Sequence, residues 1–592
     1  MKNGSPSVCR LWFAILCLVS PTFTFADDLK PAGLKTPFEL GDGWQTAEYE
    51  QGIQFYRSLA DASPRVRMEQ AGSTDSGRPL HLVLISGDQD FHVESNRKKQ
   101  RAVLLVNNAI HPGESDGVDA SMAFVRDLAF EQNNQPLLEN VLVAVIPFYN
   151  IGGTLNRNST TRVNQNGPKA YGFRGNARNY DLNRDFIKCD TLNARSFAKI
   201  FRRLDPDLLI DTHVSNGADY QYVMTTAHSQ KDKLGGKLGV FLDEQFEPLL
   251  FAQMRQSGFP TVPYVNSGGR PPELGFAQYL ETPRYSTGYA ALFQTLGFMS
   301  ETHMLKPYPQ RVAATRAFLQ ESLKLLSEKK NVIRKTRLDD RKNYPHKKRA
   351  AIAWELNKEK KSQILFQGYE ARYESSNVTS GERLLYDRGK PYSKEIDYYN
   401  HYQPSRQIEL SAGYLIPGGW HDVIDLMKIH GVEIRVVKEP KQVKAEIYRI
   451  EEYSSSSNPY EGHYFHNDVK VAAESQLITA QPGDIVIPID QPKARYVVET
   501  LEPEASDSLF RWNFFDSILQ RKESFSSYVF EETASRLLKE DASLKESFEE
   551  QKKKDTTFSL NRKQQLEFIY RHSKHYERSH LNYPIARLRE LP

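Results

Sequence analysis

The sequence predicts an α/β fold whose core is a mostly parallel or mixed sheet with helices on both faces. Short apolar, β-branched runs at 102–110 and 141–148 flank an apolar helical periodicity at 118–130, and further apolar runs follow at 207–213 and 298–303. Short apolar runs bounded by turn residues are typical of buried strands. Strands that alternate with helices in this way predict a parallel sheet covered on both sides.

Length and charge are those of a large globular protein. The chain has 592 residues, enough for more than two domains. Its 78 Lys and Arg residues nearly balance 74 Asp and Glu residues, for a net charge of +4. This balance, without a basic stripe, argues against a nucleic-acid-binding protein.

Residues 1–26 are predicted to be a cleaved signal peptide. Lys2 and Arg10 precede an apolar run at 11–19, and Ala26 ends a small-residue cleavage pattern. No later apolar run approaches the roughly 20 residues needed to span a bilayer. We therefore expect a periplasmic or secreted protein that is cleaved near Ala26.

Cysteine usage agrees with this expectation. Cys9 and Cys17 lie in the signal segment, which leaves Cys189 as the only cysteine of the mature chain. An intrachain disulfide is therefore excluded. A buried structural thiol is favoured over a nucleophile, because no activating histidine context lies nearby.

A metal site is predicted at one edge of the sheet. His111 and Glu114 follow the strand at 102–110, and His213 and Glu301 are delivered by later strands. In open α/β sheets the ligand crevice lies at the carboxyl ends of the strands. Catalytic zinc keeps three protein ligands and an open position, with a carboxylate nearby to take a proton from water. We predict one Zn²⁺ held by the first three residues, with Glu301 as the base.

The segment 150–186 is rich in Gly, Asn and Arg and lacks apolar periodicity. A loop of this length inside a compact domain is usually functional or disordered. An anion site and a solvated surface loop are equally favoured by the spacing alone. The arginines concerned are Arg157, Arg162, Arg174, Arg178 and Arg184.

The sequence Asp181-Leu-Asn183-Arg184 lies between the His111–Glu114 motif and the strands that carry His213 and Glu301. With these motifs in this order, residues 40–330 resemble the zinc metallocarboxypeptidases of the carboxypeptidase A type. The resemblance implies that His111, Glu114 and His213 bind the zinc and that Glu301 is the catalytic base. The positions of these residues at strand ends predict the same roles. It also implies that Asn183 and Arg184 grip the terminal carboxylate of a peptide. Asp181 would support the first zinc histidine.

The remaining implied roles are less closely tied to a motif. The family has an arginine that polarises the scissile carbonyl, and Arg162 fits it by position, with Arg157 and Arg174 as alternatives. It also has a mobile tyrosine before the catalytic glutamate. For substrate contact we select Tyr285 and Tyr289, with Tyr279 also open. His303 is interpreted as structural, and Arg284 would favour an acidic substrate side chain.

The expected function is a secreted zinc carboxypeptidase that trims peptides or cell-wall peptide stems carrying a free carboxylate. An amidase or endopeptidase acting on peptidoglycan stems is the alternative on the same fold, and a non-catalytic surface-binding protein is the alternative from another class. Zinc is the only cofactor expected, and no nucleic-acid partner or membrane span is expected.

The chain is expected to contain four parts after the signal peptide. Residues 27–335 form the catalytic domain, 336–350 a charged linker, 351–505 a β-rich accessory module and 506–592 a helical C-terminal segment. The linker is predicted from its dense charge and its Asn-Tyr-Pro sequence. His463 and His466 are ligand-like, but without a third partner they are interpreted as structural.

Overall fold

The computed structural model describes Met1 and residues 34–592. Apart from Met1, the expected signal peptide at 1–26 lies outside the described residues, as do Cys9 and Cys17. In the part of the chain that is described, no helix combines the length and the apolar character that crossing a bilayer requires.

A large sheet organises the N-terminal half of the described chain. Eight of the nine strands in this part of the described chain form one sheet, and the central strands of that sheet are parallel. The strands of this half are β1 (Val66–Ser73), β2 (Pro79–Ile85), β3 (Ala102–Asn107), β4 (Val141–Ile146), β5 (Leu208–Ser215), β6 (Met224–His228), β7 (Thr261–Pro263), β8 (Phe276–Ala277) and β9 (Leu296–His303).

The sheet order is β1-β2-β4-β3-β5-β9-β6-β7. The four strands β4, β3, β5 and β9 are parallel neighbours, and β2 and β6 pair antiparallel on either side of them. The predicted mostly parallel or mixed sheet is therefore confirmed. Because β3 and β5 are neighbours, their carboxyl ends meet at one edge.

Helices cover both faces of this sheet. Along β3, Val103 and Leu105 belong to the core cluster that contains Phe197, whereas Leu104 and Val106 belong to the cluster that contains Phe124. This alternation follows from the two-residue period of a strand. The helices of this half are α1 (Pro37–Leu40), α2 (Tyr49–Ala62), α3 (Val93–Lys98), α4 (Asp116–Phe130), α5 (Gln135–Asn140), α6 (Ile151–Leu155), α7 (Leu192–Leu204), α8 (Lys231–Leu234), α9 (Gly236–Phe241), α10 (Glu247–Gln256), α11 (Ser286–Leu292) and α12 (Tyr308–Asn343).

The charged stretch expected to be a linker, residues 336–350, is mostly the end of the 36-residue helix α12. Two of its arginines are not solvated. Arg337 is buried and pairs with Asp207 and, at 3.0 Å, with Asp205. Arg341 binds Asp205 Oδ1 at 2.6 Å. These ion pairs fix the helix against the sheet, so a dense run of charge here is part of the packed fold.

The C-terminal half is β-rich, as predicted, and contains three sheets. Strands β11 and β12 form a long hairpin, and β12 also pairs with β8 of the first half. The strands are β10 (Arg349–Leu356), β11 (Ser362–Ser375), β12 (Glu382–Tyr399), β13 (Tyr402–Glu409), β14 (Gly413–Ile416), β15 (Arg435–Val436), β16 (Lys441–Ser455), β17 (His466–Ala480), β18 (Ile485–Pro488) and β19 (Ala586–Leu588).

The last segment, 506–592, is only partly helical. Residues 507–526 form turns, a short 3-10 helix at Asp516–Leu519 and irregular chain, and this stretch buries Phe510, Trp512 and Phe515. The final strand β19 returns to lie between β14 and β16. The helices of this half are α13 (His421–Ile429), α14 (Ala494–Leu501), α15 (Ser527–Glu540), α16 (Ala542–Lys554), α17 (Thr556–Leu560) and α18 (Arg562–Arg571).

Candidate metal centre and active site

Three predicted metal ligands meet at the carboxyl end of β3 and β5. The chain turns at Ala109, whose φ is 56°, and brings His111 and Glu114 over the sheet edge where His213 stands on β5. The Nδ1 atoms of His111 and His213 lie 3.4 and 3.1 Å from Oε2 of Glu114. One ligand atom from each residue lies within 4.8 Å of the others. This spacing allows the three side chains to share one ion.

The two imidazoles present the same nitrogen to this centre. Nε2 of His111 donates to Oδ1 of Asp181 at 2.8 Å, and Nε2 of His213 donates to Oδ2 of Asp211 at 3.0 Å. A proton held on Nε2 leaves Nδ1 free to bind a metal. Asp211 is absent from the sequence prediction, although alternate residues of a strand share a face and it stands two before His213.

The donor set fits zinc, which prefers imidazole nitrogen and ionised carboxylate oxygen. Burial alone would raise the pKa of Glu114, but His111 and Arg162 hold that pKa well below its ordinary value. Glu114 also accepts the backbone N–H of Val214 at 2.9 Å. Its carboxylate is therefore ionised and fixed in place, as a metal ligand must be.

Glu301 stands beside the proposed ligands. It lies on β9, in register with His213 of β5, so the two side chains share one face of the parallel ladder. With the ligands it lines a cavity of about 390 Å³. Burial, and then the carboxylates Glu114 and Glu281, raise the pKa of Glu301 to about 8, although His213 and Arg162 oppose this. A cation bound in the cavity would lower that pKa.

Two of the three candidate arginines reach this centre. Nη1 of Arg162 donates to Oε1 of Glu114 at 2.9 Å, and Nε of Arg174 donates to Oδ2 of Asp181 at 2.9 Å. Both arginines line the cavity. Arg157 is not among the lining residues and donates to two backbone carbonyls instead. Arg162 and Arg174 therefore stay as candidates for contact with a substrate carbonyl.

The residues predicted to bind a substrate carboxylate lie on another wall of the cavity, as a candidate anion subsite. The guanidinium carbon of Arg184 is 4.4 Å from the ring centroid of Tyr285, whose hydroxyl is 2.7 Å from that of Tyr279. Asn183 is held by its Oδ1, which accepts the backbone N–H of Ser286 at 3.1 Å. Arginine offers five N–H donors in a planar fork. The wall therefore combines one cation with two hydroxyls and an amide.

Tyr289 does not belong to this wall, and its predicted contact with substrate is wrong. It is buried in the core with Phe186 and Phe201, because α11 turns it away from the cavity. Arg284 is not free to select an acidic side chain either. Its Nε donates to Oδ1 of Asp507 at 2.7 Å.

Two other candidate residues have structural positions. Nε2 of His303 donates to the carbonyl of Ala218 at 2.8 Å, and burial lowers the pKa of His303 to about 4. It is therefore a neutral, satisfied histidine, as expected. Cys189 is buried, and burial raises the pKa of its thiol well above the ordinary value.

Glu281 adds a carboxylate that the sequence did not reveal. It is 2% exposed, lines the cavity and accepts a hydrogen bond from the hydroxyl of Thr287. Burial raises the pKa of Glu281 above its ordinary value. It lies in an irregular stretch between Tyr279 and Tyr285, where no periodic pattern marks the inward-facing residues.

The comparison with known families agrees with this geometry. Residues 53–205 match a family model described as zinc carboxypeptidase. The matched region is similar in sequence to this family. It contains the first two metal ligands and the Asp181–Arg184 motif, whereas His213 and Glu301 lie beyond its end. The predicted enzyme class, a zinc metallopeptidase, is confirmed at the level of the family.

Similarity to proteins named carboxypeptidase extends beyond this region. Carboxypeptidase 2 of Trichophyton rubrum and that of Trichophyton equinum are each 22% identical over 520 residues, covering 83% of this chain and 87% of the relative. The alignment therefore reaches into the C-terminal half. Among solved structures, a metallo-carboxypeptidase from Pseudomonas aeruginosa is 17% identical, covers 49% of this chain and 70% of its own, and has a TM-score of 0.38.

Proposed function

We propose that this chain is an exported, zinc-dependent carboxypeptidase that hydrolyses the last peptide bond of its substrates. The observation that carries the proposal is the meeting, in one cavity, of a two-histidine, one-glutamate donor set, Glu301 and Arg184. A donor set alone would suit a structural metal. A buried base and an anion subsite beside it are what hydrolysis at a chain end requires.

His111, Glu114 and His213 would hold the zinc. When bound, zinc supplies Lewis-acid chemistry, which lowers the pKa of a water and polarises a carbonyl. Glu301 accepts the proton of the attacking water and passes it to the leaving amine. Its burial suits this exchange, because a carboxylate with a raised pKa holds a proton more readily than an exposed one.

Arg184 gives the enzyme its preference for the carboxyl-terminal end of a peptide substrate. Its planar fork matches a carboxylate, and the stacked ring of Tyr285 leaves the guanidinium edge free to donate. Binding the terminal carboxylate there fixes the last peptide bond relative to Glu301. Arg162 and Arg174 are placed to stabilise the oxyanion that develops on the attacked carbonyl.

Glu281 extends the proposal to side-chain preference. The described residues show no lysine or arginine side chain in ion-pair contact with its carboxylate, although it is buried in the cavity wall. Buried carboxylates are stabilised by a cationic partner. We therefore propose that a terminal Lys or Arg of the substrate is favoured over an acidic residue.

The decisive experiment is hydrolysis of a peptide panel with free, amidated and D-residue carboxyl termini, each with and without a chelator. The proposal predicts release of single terminal residues from free L-termini only, abolished by chelation and restored by zinc. Internal cleavage, or equal cleavage of amidated peptides, would favour the amidase or endopeptidase alternative. Zinc binding without any hydrolysis would favour the non-catalytic one.

A further inference from the structure

A tight turn of the C-terminal half lies against the loop that carries the anion subsite. Tyr460 and His463 pair across the turn, with backbone N–H···O distances of 2.7 and 3.1 Å. The two residues between them, Glu461 and Gly462, have φ values of 50° and 80°. A Cβ on Gly462 would lie 2.6 Å from the hydroxyl of Tyr180. The positive φ and this short approach both favour glycine, so the turn is closely fitted to the loop.

The turn holds the loop by two polar contacts. Oε2 of Glu461 accepts the backbone N–H of Asp181 at 2.8 Å. Nε2 of His463 donates to Oδ2 of Asp190 at 2.8 Å. The first contact is the important one, because the carboxylate of Asp181 is the partner of Nε2 of His111.

A second contact of the C-terminal half holds the segment that carries Tyr285. The guanidinium of Arg284 lies 4.5 Å from the ring centroid of Phe465 and 4.8 Å from that of Trp512. Asp507 binds the same side chain and also accepts the backbone N–H of Arg284 at 2.9 Å. The next residue is Tyr285, which stacks on Arg184. The two segments that carry the anion subsite, one with Arg184 and one with Tyr285, are therefore both contacted by the C-terminal half.

We propose that Glu461 is a positioning residue, which holds the backbone of Asp181 so that Asp181 keeps His111 turned toward the metal. The C-terminal half is then a brace for the active site. The proposal rests on the metal centre of the proposed function. It assigns a role to a residue 280 positions away from its partner.

Zinc affinity of the full-length chain, measured by competition with a chromogenic chelator, tests this role without reference to activity. Glu461→Ala removes the acceptor, and Glu461→Asp shortens the side chain so that it cannot reach. Both are expected to weaken zinc binding about tenfold, the lower end of the effect of losing a partner of a metal ligand. Glu461→Gln keeps an oxygen at the same reach and is expected to bind zinc like the wild type.

Glu452→Ala is the matched control, because Glu452 lies on the preceding strand β16 and its carboxylate pairs with exposed Lys470. Circular dichroism and thermal unfolding establish that each variant is folded. If Gln weakens binding and Asp does not, the charge of Glu461 matters and the proposed contact is wrong. If Ala and Asp both bind like the control, the brace is also refuted.

The measurements distinguish an incorrect role for Glu461 from an incorrect proposed function. A wild type that hydrolyses terminal residues while Glu461→Ala keeps full zinc affinity overturns only the brace. A wild type without peptidase activity, whose zinc affinity nevertheless depends on the reach of residue 461, overturns only the function.

Discussion

Replacing Arg184 by alanine tests the preference for a free carboxyl terminus. Its guanidinium is mostly buried against Tyr285, with 20% of the side chain exposed, and one N–H is used by the carbonyl of Asn183 at 2.8 Å. Two N–H groups directed at a substrate carboxylate contribute about 1.5–3 kcal/mol each. Partial exposure favours the lower values, so the loss is about 3–4 kcal/mol, or roughly 10²–10³-fold in kcat/KM.

The assay compares kcat/KM for a peptide acid and for the matching amide, in the wild type and in Arg184→Ala. The loss is expected on the acid alone. Arg184→Lys keeps the positive charge but not the planar guanidinium. Its kcat/KM for the peptide acid is expected to lie between that of the wild type and that of Arg184→Ala. An equal loss on acid and amide would refute the role of Arg184 as the carboxylate anchor.

Three further outcomes follow from contacts in the structure. Asp211→Ala is expected to weaken zinc binding about 10–100-fold, because Nε2 of His213 loses its partner; unchanged affinity in a chelator competition would contradict this. Glu281→Gln is expected to reduce kcat/KM for peptides ending in Lys while sparing those ending in Leu, and parallel losses would exclude the proposed preference. Arg337→Ala removes one of the two arginine partners of buried Asp207, which keeps its ion pair with Arg97. This substitution should lower the free energy of unfolding in urea by about 2 kcal/mol, with little change expected for an exposed arginine.

The sequence predicts the sheet and its catalytic edge well because the pattern is local. The apolar runs that become β3 and β5 alternate between two cores, and the runs of β3, β5 and β9 each lead to a chemically distinctive residue. His111, His213 and Glu301 can therefore be placed at one edge without a structure. The in-register pairing of His213 with Glu301 then follows from parallel neighbours.

What escapes the sequence depends on distant packing. Helical phase could not be fixed for Tyr289, since one extra turn residue decides whether it faces the core or the cavity. The sequence around Arg337 predicts a solvated side chain, but its guanidinium pairs with the carboxylate of Asp207, more than a hundred positions earlier in the chain. Glu461 has no local pattern at all, because its importance arises only where its turn meets Asp181.

The most direct test of the whole account is Glu301→Gln, measured for zinc content and for turnover on the same sample. We expect one zinc per chain, as in the wild type, with kcat lowered about 10²–10⁴-fold, the usual contribution of a general base. A variant that keeps its zinc and turns over at nearly the wild-type rate would contradict the assignment of Glu301 and the hydrolytic mechanism built on it.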